Sequence, residues 1–336
     1  MDIREQGFAE GDVVAGRYRI VEELGRGSYG VVFRAEQLGI GRSVALKTLL
    51  PQTPGDSEES QRFEREALVV SKFNHPNIVT LFDYGEHEGV LFMVMEYVEG
   101  RELMDVIDEE APMAPERVRS IVYQMLDALQ YAHDKGVVHR DLKPENIQLL
   151  SSPSMESDQQ EMVKILDFGI AKFIHGDDEG SALDTLTQTG VAMGTPQYMS
   201  PENITGDPVT HHADIYAVGL LMYEMLSGEP AFEGKDPQEV MVSHLTDPAP
   251  VLGGEKGWRS FDRALEWALR KQPDERAPQA RALAEVLEED QPVAAGNSAM
   301  SDEGSGDTTL TRALVAVVIA AVVVLILLVA VVISGG

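Results

Sequence analysis

The spacing of the apolar residues changes once along this chain, and that change constrains the fold more than any other feature. Between residues 18 and 98 the apolar residues come in short β-branched or aromatic runs: YRIVEEL, GVVFRAEQ, SVALKTLL, IVTLFDY and VLFMVMEYV. Turn residues separate these runs, so each predicts a strand. One segment, from about Ser57 to Phe73, interrupts them with a helical period. From residue 115 to 290 the helical period dominates. Val118, Ile121, Val122, Met125, Leu126 and Leu129 form one stripe, with Gly136 placed to end that helix. A second helix is predicted from His212 to Ser227, stopping at Gly228. The fold class expected is α+β: a small β-rich lobe with one main helix, then a larger helical lobe. A cleft between two such lobes is a common place for a ligand.

The end of the chain is of a different kind. Ala313 to Ile333 contains only Ala, Leu, Val and Ile. A helix of that length spans about 31 Å, close to the roughly 30 Å of a bilayer's hydrocarbon core. A buried core helix would rarely lack every polar residue, so a transmembrane helix is expected over 313–333. Only the tail 334–336 follows it, so no sensing domain is expected beyond the membrane. Arg312 favours a cytoplasmic N-terminal side. Residues 290–312, rich in Ala, Ser, Gly, Asp and Thr, read as a flexible linker. The first residues, MDIREQGFAE, show no signal peptide. The domains expected are thus an extension 1–16, a catalytic domain 17–289 divided into lobes 17–98 and 99–289, the linker, the membrane helix and the tail.

Composition excludes whole classes of function. None of the 336 residues is cysteine, so disulfides, cysteine-ligated metals and thiol nucleophiles are impossible. Lys and Arg number 27 against 56 Asp and Glu, a formal net charge of −29, which argues against nucleic acid as a partner. The acidity has several readings: a solvated surface, a docking surface for basic partners, or adaptation to a salty habitat.

Four motifs carry chemistry. Gly25, Gly27 and Gly30 lie between two predicted strands, where glycine lets backbone amides approach phosphate oxygens. Alone the pattern also fits a tight hairpin. A dinucleotide-binding turn is disfavoured, because VVFRAEQ continues as a strand. Lys47, in the apolar strand VALK, either sits at a surface or points into a cleft toward an anion. An ion pair with Glu66 on the predicted helix would position it for nucleotide phosphates. HRDLKPEN packs His139, Arg140, Asp141, Lys143 and Asn146 into one loop. There Asp141 can accept a hydroxyl proton, Lys143 can neutralise a transferring phosphoryl group, and Asn146 offers an oxygen to a magnesium ion. Asp167 in DFG, at the end of the apolar run Val163–Leu166, offers a carboxylate to a second metal contact.

In this order the four motifs, with GTPQYMSPE, Asp214 in DIYAVG and Arg276 in PDERAP, resemble the eukaryotic-type protein kinases. The resemblance is closest to the membrane-anchored bacterial serine/threonine kinases, and it covers about residues 17–289. It implies the bilobal kinase fold. It also implies ATP and Mg2+ (or Mn2+) as cofactors, and transfer of the γ-phosphate to Ser or Thr hydroxyls of protein substrates. The glycine loop, Leu24, Gly25, Arg26, Gly27, Ser28, Tyr29 and Gly30, would cover the phosphates. Lys47, paired with Glu66, would hold the α- and β-phosphates. Asp141 would orient the acceptor hydroxyl, while Asn146 and Asp167 would hold metal. Val32, Ala45 and Leu103 would enclose adenine, with Met95 as gatekeeper and Glu96 and Val98 giving hinge backbone contacts.

The same resemblance assigns further roles. Lys143 and Thr195 mark the serine/threonine branch. Arg140, with Lys172, would meet a phosphate on the activation loop, for which Thr187, Thr189 and Thr185 are the acceptor candidates. Phe168 and Asp214 would be structural, as would an ion pair of Glu202 with Arg276. Gln148 departs from the pattern, standing where the family has an apolar residue beneath adenine. Ser151 to Glu161 is a longer polar stretch than usual and reads as a surface insertion. A homodimer that phosphorylates in trans is a family-level expectation. The alternative to an active kinase at the plasma (inner) membrane is a tethered pseudokinase scaffold. A small-molecule kinase is disfavoured by the GTPQYMSPE segment.

Overall fold

The structure is a computed structural model and describes residues 8–27, 30–49, 67–151, 161–168, 195–253 and 258–288. The strands are β1 (Val13–Val14), β2 (Tyr18–Gly27), β3 (Gly30–Gln37), β4 (Arg42–Leu49), β5 (Leu81–His87) and β6 (Val90–Glu96). They form one antiparallel sheet in the order β1-β2-β3-β4-β6-β5. Strand alternation divides its faces. Val31, Phe33 and Ala35 of β3 and Val44 and Leu46 of β4 pack with Tyr18, Ile20, Phe92 and Val94 on one side. Val32, Ala45, Lys47, Met93 and Met95 are paired in register and face the other side. There Met93 and Met95 join the core of the helical lobe.

Two strands are shorter than the apolar runs suggest. Within IVTLFDY only Leu81 onward joins the sheet. The Val79 N–H is donated to the Ile165 carbonyl, and the Asn77 carbonyl accepts from the Ile165 N–H, so the start of the run is spent on another strand. β6 ends at Glu96, where Tyr97 and Val98 begin the connection to the larger lobe. Of the helix expected between Ser57 and Phe73, residues 67–70 are described and helical, with Ala67, Val70 and Phe73 buried.

The larger lobe starts with β7 (Arg101–Glu102), α1 (Leu103–Glu110) and α2 (Pro115–His133). Pro115 opens α2, where its missing N–H costs nothing. The stripe read from the sequence is its buried face, extended by Ala128, Gln130 and Ala132. β8 (Ile147–Ser151) pairs with both β7 and β9 (Glu161–Ile165) in a second, three-stranded sheet. Ser151 and Glu161 are partners across the β8–β9 pair, which puts the polar insertion at the hairpin connection.

Short α3 (Pro201–Thr205) precedes α4 (His211–Ser227), followed by α5 (Pro237–Thr246), α6 (Arg259–Ala268) and α7 (Ala280–Glu288). α4 is buried on nearly every side and forms the centre of the lobe. Its Gly219 lets α6 approach, because a Cβ there would lie 2.9 Å from both Ala268 Cβ and Leu269 Cδ2. The segment 313–333 and the linker before it lie outside the described residues. Among the described residues no helix is long and apolar enough to cross a membrane.

Candidate active site

After α2 the chain turns through His139–Asn146 beneath the first sheet. This loop has few backbone bonds of its own, so α4 holds it from below. The buried Asp214 carboxylate accepts from the His139 N–H (2.8 Å, Oδ2) and the Arg140 N–H (2.9 Å, Oδ1). His133 Nε2 is 2.7 Å from Oδ2. Burial alone pushes the Asp214 carboxyl up. The His133 hydrogen bond, the charges of His133 and His139 and the His139 amide outweigh burial and hold it below the usual carboxylate range. Arg140 (φ 65°) and Asp167 (φ 47°) both adopt left-handed backbone that non-glycine residues avoid. Such residues persist only where their surroundings over-determine them, and here they flank the chemistry.

The side chains at this loop converge. Lys143 Nζ lies 3.2 Å from Asp141 Oδ2. Asn146 donates to the Asp141 carbonyl at 2.7 Å, and the Leu166 N–H is donated to the Asn146 carbonyl. His139 Nε2 donates to the Leu166 carbonyl at 2.8 Å, so the loop and the residue before Asp167 move as one. From the sheet above, Lys47 Nζ donates to Asp167 Oδ2 at 2.7 Å. The Phe168 ring packs between His139 (4.8 Å) and Phe73 (5.8 Å). Glu66 lies outside the described residues, as do Ser28, Tyr29, Lys172 and Thr185, Thr187 and Thr189. The partner of Lys47 among the described residues is therefore Asp167.

The phosphate end is bounded by β2 and β3. Gly25 pairs with Val32, and Gly27 with Gly30, so the loop is the tip of a hairpin. A Cβ on Gly30 would sit 1.7 Å from the Thr48 carbonyl oxygen, so only glycine fits this backbone. Arg26 is held by Glu23 at 2.7 Å, and Leu24 is exposed.

At the other end, the Glu96 carboxylate is committed to Lys164 (2.7 Å) and the Thr80 N–H (3.3 Å). Its backbone N–H is donated to the Thr80 carbonyl at 2.9 Å, so a hinge contact of the kind the resemblance implies would fall to its carbonyl and to the backbone of Val98. Gln148 is nine-tenths buried and faces away from Ile147 and Leu149, which point into the core. Its Oε1 has no partner among the described residues. A Cβ on Gly100 would come within 3.2 Å of that oxygen, so the connecting segment packs directly over it. Leu103, expected to touch adenine, has no exposed surface and belongs to the helical core.

Below the loop, Arg276 NH1 and NH2 each donate to a Glu202 carboxylate oxygen at 2.7 Å, a two-pronged buried pair. The Thr195 carbonyl accepts from the Tyr198 N–H. Tyr198 donates its hydroxyl to Glu224 (2.9 and 3.1 Å), and burial pushes the ionisation of both groups up.

Asn146 and Asp167 each carry a side-chain oxygen, the donor type that suits a hard divalent cation completed by phosphate oxygens and water. Among the described residues no three His, Asp or Glu side chains group closely enough to hold a metal by themselves. Magnesium, taken up with a nucleotide, fits such a two-ligand arrangement.

The family model described as "Protein kinase domain" matches residues 18–287. The chain belongs to the protein kinase family. Over 283 residues this kinase chain is 40% identical to "Serine/threonine-protein kinase pkn3" of Myxococcus xanthus, covering 83% of the chain and 50% of that protein. It is 38% identical over 266 residues to "Serine/threonine-protein kinase PknB" of Mycobacterium tuberculosis, covering 77% of the chain and 40% of that protein. The chain thus spans half or less of the length of these relatives. The crystal structure of the Mycobacterium tuberculosis PknI kinase domain superposes with a TM-score of 0.63 at 27% identity, covering 85% of this chain and 100% of that one.

Two side chains of the kinase domain carry site geometry without a motif to announce them: His133 and Lys164. His133 had a signal. It continues the apolar stripe of α2 four residues after Leu129, and an imidazole on a buried stripe needs a partner. Lys164 had a weaker one, a charge inside the apolar run before Asp167.

Proposed function

We propose that this chain is a serine/threonine protein kinase that transfers the γ-phosphate of ATP to Ser or Thr hydroxyls of protein substrates. The observation that supports it best is the convergence of Lys47, Asp141, Lys143, Asn146 and Asp167 from three separate segments onto one cleft. Asp141 would orient an acceptor hydroxyl and take its proton, and Lys143, 3.2 Å from it, would balance charge on the phosphoryl group. Lys47 brings a cation to the phosphate end, under the glycine hairpin. Asn146 and Asp167 would hold magnesium, or manganese, which when bound neutralises charge on the phosphates. Most of the rate acceleration then comes from positioning and charge, because the side chains form no covalent bond with the phosphoryl group.

Two further readings rest on sequence alone. Thr187 and Thr189, with Thr185 behind them, are self-phosphorylation sites whose phosphates pair with Arg140. Residues 313–333 anchor the chain in the plasma membrane, with the kinase domain on the cytoplasmic side and the C-terminus outside. Incubation of purified protein with labelled MgATP and a basic acceptor protein tests the activity. Wild type labels the acceptor, and Asp141→Asn lowers the rate by about 10³-fold or more. Equal labelling by both would refute the assignment of Asp141. Phosphopeptide mapping of the same reaction finds phosphate between residues 181 and 195; a clean segment there refutes self-phosphorylation of this loop.

A further inference from the structure

The second sheet carries one row of polar side chains on the face turned away from the core. Gln148 of β8 pairs with Glu102 of β7 on one side and with Lys164 of β9 on the other, and residues paired in this way share a face. Ile147 and Leu149 take the opposite face, into the core. Lys164 spends its ammonium on the Glu96 carboxylate (2.7 Å) and the Ile78 carbonyl (3.4 Å). Glu96 is the last residue of β6, so the row lies against the end of the first sheet, where the chain crosses between the lobes.

Gln148 is the unmet member of that row. It is 9% exposed, its Oε1 is buried, and no described residue donates to that oxygen. Gly100 passes so close that a Cβ on it would come 3.2 Å from Oε1. The amide oxygen therefore lies under the connecting segment, on the side of Glu102. Glu102 cannot satisfy it, because an ionised carboxylate only accepts. Burying an amide oxygen without a donor is costly, and a leucine would fill the position without that cost. Two acceptors thus occupy neighbouring positions on one face, and the donors they call for must come from a ligand. A nucleotide's base is flat, and its N–H donors lie in the base plane and point to its edges. A side chain beneath the base meets a π face that offers no donor. The ribose hydroxyls leave that plane, and they are adjacent, as the two acceptors are.

We propose that Gln148 reads the sugar of the bound nucleotide, its Oε1 accepting from a ribose hydroxyl, so that the site prefers ribonucleotides to deoxyribonucleotides. The proposal rests on the kinase reading above. Isothermal titration calorimetry of the whole detergent-solubilised chain tests it with the magnesium complexes of ADP, 2′-deoxyADP and 3′-deoxyADP, none of which supplies a γ-phosphate. Wild type is compared with Gln148→Leu, which keeps the bulk without the acceptor. Wild type binds ADP about tenfold more tightly than the form that lacks the bonded hydroxyl. Gln148→Leu cuts that preference by roughly fivefold or more, losing affinity for ADP while binding the deoxy form at least as well as wild type does. A wild type that binds none of the three counts against the kinase reading itself. With nucleotide bound, a wild type indifferent to both hydroxyls overturns the role of Gln148. A Leu variant with the full wild-type preference also overturns it, and leaves the sugar to Glu102. Equal weakening of all three nucleotides overturns it too, since that marks a floor that only packs. Should the Leu variant fail to fold, Gln148→Met is held to the same criteria.

Discussion

Arg276 places its guanidinium in the larger lobe with no exposed side-chain surface, against Glu202 at 3%. Beyond Glu202 it donates to the carbonyls of Arg270, Lys271 and His212 and lies 4.7 Å from the Tyr216 ring. Its donors are thus distributed over α3, the start of α4 and the segment before α7. A buried ion pair of this kind contributes little compared with apolar packing, but breaking it strands a charge. Glu202→Ala is expected to destabilise the domain by about 3–5 kcal/mol, measured as a shift in urea-denaturation midpoint. A change below about 1 kcal/mol would mean that water reaches Arg276. The buried pair was expected from the resemblance carried by the GTPQYMSPE and PDERAP segments, and the structure has it. Residue spacing alone does not show it, because the burial depends on elements far apart in the chain.

Among the elements, α5 and the segment after α6 meet around Phe232 in an unusual way. His244 of α5 has no exposed surface and sits 4.7 Å from the Phe232 ring. Burial first, and then the charge of Lys271, push its ionisation down to about 3, so it stays neutral. Lys271 Nζ lies 4.2 Å from the centre of the same ring and has no hydrogen-bond partner among the described residues. Burial lowers Lys271 to about 8 from its ordinary 10.5, with Asp247 opposing and Arg276 adding to the shift. Between pH 8 and 10.5 the unfolded chain therefore binds more protons at this site than the folded one, and stability rises with pH. Below pH 8 the full cost of the charged amine is present. Lys271→Met is expected to raise Tm at pH 7 by about 2–4 °C, and the advantage should shrink toward pH 10. A melting series by circular dichroism from pH 6 to 10 checks both the sign and the window. A lower Tm for the Met variant at pH 7 would show that the ammonium's contact with Phe232 outweighs its desolvation.

At the scale of the whole molecule, charge and membrane oppose one another. A chain with net charge −29 gains nothing from an anionic lipid surface, which repels it within a Debye length. On the proposal that residues 313–333 anchor the chain, retention at a membrane would come from that apolar segment and not from surface charge. Deleting residues 313–333 is expected to move the protein from the membrane to the soluble fraction at both low and high salt, with kcat toward a soluble acceptor within about twofold. Cell fractionation followed by activity assay of each fraction checks this. A deletion variant that stays in the membrane fraction would point to another contact, such as a membrane partner.

The sequence by itself determined the residue types of the chemistry and the order of strands and helices. Both are local properties: HRDLKPEN and DFG are contiguous, and a period of two or of 3.6 is written into neighbouring side chains. It also placed β3 closely, as the run GVVFRAEQ, and the buried stripe of α2 from Val118 to Leu129. Only the tertiary structure decided which groups meet. Lys47 of β4 reaches Asp167, 120 positions later in the chain and just beyond β9. Leu103 withdraws into the core because α1 turns its first residue inward. His133 joins the site because α2 and α4 cross beneath the loop. Each contact links residues tens of positions apart, so its geometry is set by the burial of whole faces and not by any short run of sequence.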